Sequence, residues 1–371
     1  MQSAISKTIP KTQAIKYAGS KLKMLPHILD IIKDLEIKTV LDGFSGSTRV
    51  SQFFNQLGYQ TTSNDISAYS EVLSRCFLLN VDTPEFYQPY IKELNNLQPI
   101  SGWFSKYYGG SDTDTKKPFR LKNTMKLDAI RPHIDTFDLS IIQKSVLITS
   151  LLLALDKVDS TLGHFASYLK NWSARSAKEL WLEVPDLIIN DGLNQVCRQD
   201  IFQLAQSDSW DLVYYDPPYG SNNAKMPPSR VRYQAYYHFW SSVVLNDQPD
   251  IFGNVGRRVD TRDSVSSGVF EEFRTDDNNQ FLAITAVENL IKSTNSRYIL
   301  LSYNSGNPKT QKQLLQFLST QNVIKTIAID YQKNVMSTMT STRQWLPDET
   351  KYQEYLFLID SIFDATKSIL L

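Results

Sequence analysis

Apolar residues recur at Leu22, Leu25, Ile28, Leu29 and Ile32, a three-and-four spacing that predicts a helix with Ser20 as its cap. Pro26 falls inside that pattern and predicts a kink or a late helix start. Lys38-Thr39-Val40-Leu41-Asp42 predicts a short strand leading into Gly43-Phe44-Ser45-Gly46. A second helix is expected over 50–57, stopped by Gly58 in the left-handed position that follows many helices. A strand over 59–65 and a helix over 68–79 come next. Strand, glycine-bearing turn, helix, strand, helix is the opening of a doubly wound α/β sheet.

The alternation stops over 81–191. Aromatics (Trp103, Phe104, Tyr107, Tyr108), a Gly109-Gly110 break and a helical run over 141–155 predict a mainly helical insertion. The α/β pattern resumes at Trp210 with a buried-type strand over 211–216, a helix over 281–291, a strand over 297–303 and a helix over 310–318. Strands over 323–331 and 354–360 have no clear crossover helix between them, so an antiparallel pair is expected. The prediction is a mostly parallel sheet of seven strands. One domain is assembled from residues 1–80 and 192–371, and a second is inserted over 81–191.

Composition then narrows the class. The chain has 371 residues, 42% apolar and 21% charged, which excludes disordered, collagenous and coiled-coil descriptions. Lys plus Arg and Asp plus Glu are both 39, so any polyanion must be met by a local patch. One such patch lies over 114–133, where Lys116, Lys117, Arg120, Lys122, Lys126 and Arg131 face only Asp114 and Asp128. Cys76 and Cys197 are far apart and form no CxxC, which supports neither a zinc site nor a disulfide scaffold. The first residues carry no apolar signal segment, and the longest apolar run, over 146–155, is too short to span a bilayer. A reduced, cytoplasmic protein with no membrane partner and no metal is the expectation.

The most informative tetrapeptide is Asp216-Pro217-Pro218-Tyr219, at the end of a predicted strand. The exocyclic amine of an aromatic base is a poor nucleophile, because its lone pair is delocalised into the ring. A carboxylate (Asp216) and a backbone carbonyl (Pro217) that accept its two hydrogens localise that pair. Two consecutive prolines hold the turn stiff and donate nothing, leaving the carbonyl free to aim inward. Tyr219 offers a π-face to a base swung out of its stack.

Two other segments fit the same chemistry. Asp42-Gly43-Phe44-Ser45-Gly46-Ser47 is a strand–turn–helix junction that is neither Walker A nor G-x-G-x-x-G. Asp65, about twenty positions on, stands where a carboxylate takes a ribose diol in this topology, although capping the next helix is an equally local role. Lys16-Tyr17-Ala18-Gly19-Ser20-Lys21 precedes the first helix and offers a stacking ring, a permissive glycine and a cation.

These segments, in this order, resemble the Dam-like alpha group of adenine-N6-specific DNA methyltransferases. KYAGSK is similar to that group's lysine-bearing motif, DGFSGST to its F-x-G-x-G motif, and DPPY to its catalytic motif. Cys197-Arg198-Gln199-Asp200-Ile201-Phe202 is similar to its short acidic motif, and the strand over 298–304 to the one after DPPY. One departure is Thr48, which stands where the second glycine is expected. The resemblance implies a Rossmann-like methyltransferase fold with an inserted target-recognition domain. It also implies S-adenosyl-L-methionine bound by Tyr17, Lys21, Asp42, Phe44, Gly46, Asp65, Asp200 and Asp216, and catalysis by Asp216, Pro217, Pro218 and Tyr219 on a flipped-out adenine. Double-stranded DNA is the expected substrate and a cognate restriction endonuclease the expected partner.

DNA contact is expected from Lys116, Lys117, Arg120 and Lys122 and, after DPPY, from Arg257 and Arg258. The alternatives are an RNA or cytosine-N4 amino-methyltransferase, whose families usually place Asn or Ser where Asp216 stands, and a catalytically silent DNA-binding specificity protein. No H-x-E with P-C-x-x-C occurs, which excludes a zinc deaminase. Neither cysteine follows a proline, so no covalent cytosine-C5 chemistry is expected.

Overall fold

The computed structural model describes residues 8–114, 117–190, 192–218, 233–262, 268–272, 274–304, 308–331 and 352–361. Seven strands form one sheet: β1 (Thr39–Asp42), β2 (Gln60–Asn64), β3 (Gln195–Cys197), β4 (Trp210–Tyr215), β5 (Ser296–Asn304), β6 (Val323–Tyr331) and β7 (Tyr352–Asp360). Their order is β6-β7-β5-β4-β1-β2-β3. All pairs are parallel except those of β7, which runs antiparallel between β5 and β6. The chain winds outward from β1 in both directions, so the boundary between β1 and β4 is the crevice where such sheets bind ligands, beyond the carboxyl ends of their strands.

Strand alternation explains how the sheet buries both faces. Val40, Leu212, Tyr214, Leu300 and Leu358 face α1 (Leu25–Ile32) and α2 (Arg49–Gln56), packing on Ile28, Ile32, Phe53 and Phe54. Leu41, Val213, Tyr215, Ile299, Leu301 and Phe357 face the opposite layer. There α8 (Ile201–Ser207), α11 (Leu282–Ser293) and α12 (Pro308–Leu318) supply Leu204, Val287, Leu290 and Leu314. Each such side chain removed from water stabilises the fold by roughly 1.5–3 kcal/mol.

The first helix starts late, as Pro26 requires. A 3-10 turn, Lys21–Lys23, precedes it, and Pro26 sits in the first turn of α1, where a missing N–H costs nothing. Ser20 makes no side-chain cap bond, and Leu22 points outward at 48% exposure. Ala68–Ser74 (α3) is the next helix, and its last turn, Arg75–Leu79, loosens to π geometry.

The described residues of 81–190 add no strand to the central sheet, to which the chain returns in β3. They form α4 (Pro84–Asn96), α5 (Trp103–Tyr108), α6 (Leu121–Thr136) and α7 (Ile141–Val158). Gly109–Gly110 and Phe119–Arg120 make a two-stranded parallel pair. Ser140 starts α7 with a reciprocal cap: its Oγ accepts the Gln143 amide at 3.2 Å, and its own amide donates to Gln143 Oε1 at 3.0 Å. These helices share one apolar core with α3 and with α10 (His238–Leu245), a helix that follows the short α9 (Tyr233–Tyr236). Among the described residues no helix is long and apolar enough to cross a membrane.

Candidate active site

Asp216 is the first residue beyond β4, and Asp42 is the last residue of β1, paired in register with Tyr214. Both carboxylates therefore stand at the carboxyl ends of adjacent strands, at the topological switch point. Pro217 is buried and Pro218 half-buried behind Asp216, while Tyr219 lies outside the described residues.

Lys21 reaches this point from the turn before α1. Its ammonium lies 3.0 Å from Asp216 Oδ1, and its side chain is only 7% exposed. A second carboxylate, Glu354 on β7, also contacts the same ammonium, and Glu354 Oε1 accepts the Ser302 hydroxyl at 2.9 Å. Burial works against the charged lysine, but Asp216 and Glu354 outweigh it and hold its pKa above the ordinary lysine value. Glu354 was not anticipated from the sequence. Its only signal is a carboxylate alternating with Leu356 and Leu358 on the buried face of a strand.

The glycine turn is built around two close approaches. A β-carbon on Gly43 would lie 2.7 Å from the ring of buried Tyr215, so only glycine fits between strand end and ring. Gly46 has φ +48°, and a β-carbon there would lie 3.1 Å from the Tyr17 ring. Its amide donates to Asp65 Oδ2 at 2.8 Å, while Asp65 Oδ1 accepts the Ser67 amide at 2.8 Å. Asp65 thus closes the turn and holds Ser67, the residue that precedes α3. Burial raises its pKa against the effect of those two amides.

Thr48 adopts the left-handed conformation itself, at φ +67°, where the resemblance places a glycine. A β-branched residue is uncommon there. It is held by two bonds of its hydroxyl, to Ser47 O at 2.7 Å and from Gln52 Nε2 at 2.9 Å. The turn keeps a glycine-like backbone with a buried threonine.

Asp42 is 1% exposed. Its Oδ2 accepts the Ser51 hydroxyl at 2.6 Å, and its Oδ1 has no partner of ordinary hydrogen-bond geometry among the described residues. Burial first, and then the nearby charges of Asp216 and Asp65, push its pKa up to about 7. Phe44 is half-buried, edge-on to Tyr215 and to Phe270, whose ring stacks on Phe202 at 5.5 Å. Asp200 is the N-cap of α8, its Oδ1 accepting the Phe202 amide at 2.8 Å. Tyr17 stacks on Tyr237 at 4.5 Å, and burial lifts its phenol pKa well above normal. The structure brings Tyr17, Lys21, Asp42, Gly46, Asp65 and Asp216 to one end of the sheet. Phe44 and Asp200 flank them on the α8 side.

This set of groups suits a cationic, zwitterion-bearing ligand. Asp216 and Glu354 face one buried cation, Lys21, and Asp42 Oδ1 is buried without an ordinary hydrogen-bond partner among the described residues. The local excess is negative, and the one ammonium can meet a carboxylate.

The expected DNA-contacting residues separate into two groups. Lys117 Nζ bonds Tyr107 O at 2.7 Å, the Arg120 guanidinium covers the Trp172 ring at 4.3 Å, and Lys122 is half-exposed near Ala177 O. A hairpin, Ile251–Phe252 with Arg257–Arg258, is tied to the same region by Tyr108, whose hydroxyl donates to Gly256 O at 2.7 Å. Arg257 lies over the Phe252 ring at 5.1 Å, and exposed Arg262 over the same ring at 4.9 Å. Arg258 does not join them. It is 4% exposed, and Asp247 (2.7 Å to each of two nitrogens) and Asp260 enclose its guanidinium. That pairing corrects the expectation of a DNA contact from Arg258: it is a buried clamp at the foot of the hairpin. Lys116 lies outside the described residues.

Comparison with known proteins places this geometry in a family. The modification methylase StsI of Streptococcus sanguinis is 26% identical over 350 residues, covering 89% of this chain and 50% of that protein. The modification methylase LlaI of Lactococcus lactis subsp. lactis is 28% identical over 310 residues, 78% of this chain and 46% of LlaI. The chain thus spans about half the length of these two relatives. The type II methyltransferase M.NlaIII of Neisseria lactamica is 27% identical over 358 residues, 94% of this chain and 100% of that one. The sequence model of the D12 class N6 adenine-specific DNA methyltransferases matches residues 17–228, more than half of the chain, from the Tyr17 arm through the glycine turn to Asp216 and beyond. The chain belongs to the D12 class N6 adenine-specific DNA methyltransferases.

Proposed function

We propose that this chain methylates the exocyclic N6 of adenine in double-stranded DNA, with S-adenosyl-L-methionine as donor, as the modification component of a restriction–modification system. The observation that carries the reading is Asp216, fixed at the tip of β4 by Lys21 at 3.0 Å and followed by two prolines beside the glycine turn. S-adenosyl-L-methionine, when bound, supplies a methyl group made electrophilic by a cationic sulfur. Tyr17, Lys21, Asp42, Phe44, Gly46, Asp65, Asp200 and Asp216 would hold it, Lys21 meeting its carboxylate and the acidic residues its positive charge.

The chain's own residues do the rest. Asp216 and the Pro217 carbonyl accept the two hydrogens of the amine, and the nitrogen lone pair is left to point at the methyl carbon. These acceptors are held in place before the reaction, so little reorganisation is needed as charge develops. Alignment of the two reactants supplies the remaining acceleration. Residues 81–191 serve as the target-recognition insertion, with Lys117, Arg120 and Lys122 meeting backbone phosphates and Arg257 joining from the hairpin. Such contacts position the duplex, and sequence is read by side chains that reach base edges. The test is incubation with methyl-labelled S-adenosyl-L-methionine and unmethylated mixed-sequence duplex, followed by nucleoside analysis. Label in N6-methyladenine is expected; label in cytosine, in RNA alone, or nowhere contradicts the reading.

A further inference from the structure

Two aspartates occupy the carboxyl end of α7, Asp156 in its last turn and Asp159 as its C-cap. Carboxylates are electrostatically unfavourable at that end of a helix, where the backbone dipole is already negative. Asp159 is 1% exposed, and burial pushes the Asp156 pKa up to about 6. Both features cost stability unless cations gather there, and two do.

Lys16 Nζ lies 2.6 Å from Asp159 Oδ1 and also contacts the Asp156 carbonyl, while the Lys16 amide donates to Asp156 Oδ2 at 3.0 Å. Arg175 donates to Asp159 Oδ1 at 2.9 Å and to Oδ2 at 3.1 Å. One residue further on, the arm is gripped again. The Tyr17 ring stacks on Tyr237, and the Ala18 amide donates to the Tyr237 hydroxyl at 2.6 Å. The arm that delivers Tyr17 and Lys21 to the site is thus fastened to residues outside the sheet, at the end of the insertion's longest helix and on the segment after DPPY.

Asp159 also touches the basic edge. Ser173 Oγ donates to Asp159 O at 3.0 Å, the Ser173 amide donates to Ser160 Oγ at 2.9 Å, and the Ser160 amide donates to Pro118 O at 2.7 Å. Pro118 lies between Lys117 and the Phe119–Arg120 strand.

We propose that Asp159 is a positioning residue: through Lys16 it sets the arm that presents Tyr17 and Lys21, so the insertion fixes the methyl-donor side of the site as well as holding DNA. This rests on the function proposed above. Residues that align reactants influence rate strongly, because a misplacement of about 1 Å can cost about a hundredfold.

The experiment measures steady-state methyl transfer to unmethylated plasmid DNA, varying S-adenosyl-L-methionine and DNA separately, for the unaltered chain, Lys16→Met, Asp159→Asn, the double variant and Lys16→Arg. Lys16→Met leaves the Asp159–Arg175 pair in place, so the insertion keeps its own tie. Both single variants are expected to lose about ten- to a hundredfold in kcat/KM for the donor, with KM for DNA unchanged. The double variant should be no worse than either single one, because the two residues act as one unit. Lys16→Arg, which keeps a cation within reach of Asp159, should recover most of the rate. Single variants as active as the unaltered chain, or a KM for DNA that rises while the donor term stays intact, overturn the inference and leave the function reading standing. No transfer by the unaltered chain defeats the function reading and this inference with it.

Discussion

The Lys21 ammonium lies 3.0 Å from Asp216 Oδ1, tying the arm before α1 to the tip of β4. Glu354 draws on the same ammonium from β7, so one buried cation serves two carboxylates. Lys21→Met would leave both acids facing each other without it. Breaking a buried ion pair costs about 3–5 kcal/mol. A loss of that order in chemical denaturation is expected, together with loss of methyl transfer. Glu354→Gln keeps one carboxylate on the lysine and should cost far less stability. Equal stability of Lys21→Met and the unaltered chain would contradict this.

Asp42 gives a pH signature. Its carboxyl stays protonated in the fold up to about pH 7, while in the unfolded chain it ionises near its ordinary value. Between those two points the folded state binds one more proton than the unfolded state, so stability falls as pH rises, by at most about 1.4 kcal/mol per pH unit from this group. Below the unfolded value its contribution is complete, and above pH 7 it is gone. Denaturation midpoints measured from pH 4 to pH 8 should therefore lose part of their slope in Asp42→Asn. An identical profile for the two proteins would remove Asp42 as the cause.

Gly46 carries both constraints of the turn, a positive φ of 48° and a tyrosine ring 3.1 Å from where a β-carbon would stand. Gly46→Ala should cost about 1–2 kcal/mol in backbone strain. It should also displace Tyr17 and weaken donor binding, measured by titration calorimetry. Thr48, two residues on, already pays a similar strain, and its two hydroxyl bonds show how a side chain there is tolerated.

The two kinds of arginine separate in different measurements. Arg120→Ala should weaken DNA binding and reduce the slope of log K against log salt by about one. Arg258→Ala should instead lower stability by about 1.5–3 kcal/mol, the scale of lost charge-assisted hydrogen bonds, because Asp247 and Asp260 lose their shared partner. A full salt slope in Arg120→Ala would move the DNA face elsewhere.

Much of this site was legible because its residues sit at strand ends that the sequence marks locally. Asp42 and the glycine turn follow Val40 and Leu41, and DPPY follows the apolar run over 212–215, so strand patterning already places them at strand ends. Asp65 instead follows the polar stretch 60–64 and is marked only by its distance from the turn. The antiparallel last pair was legible too, from the missing crossover helix. What escaped were relationships between distant segments. Glu354 meets Lys21 only because β7 inserts between β5 and β6, which no local pattern encodes. Arg258 reads as an exposed cation beside Gly256, yet its burial depends on Asp247 and Asp260 folding around it. Tyr237 and Asp159 grip the arm from outside the sheet, by contacts fixed in tertiary packing.

The most direct measurement is methyl transfer to adenine by Asp216→Ala alongside donor binding by the same variant. Transfer should fall by about a hundredfold or more, as for lost transition-state hydrogen bonds, while donor binding, which seven other residues share, weakens much less. An Asp216→Ala chain that methylates adenine at the unaltered rate would contradict the assignment of Asp216 as the group that prepares the amine.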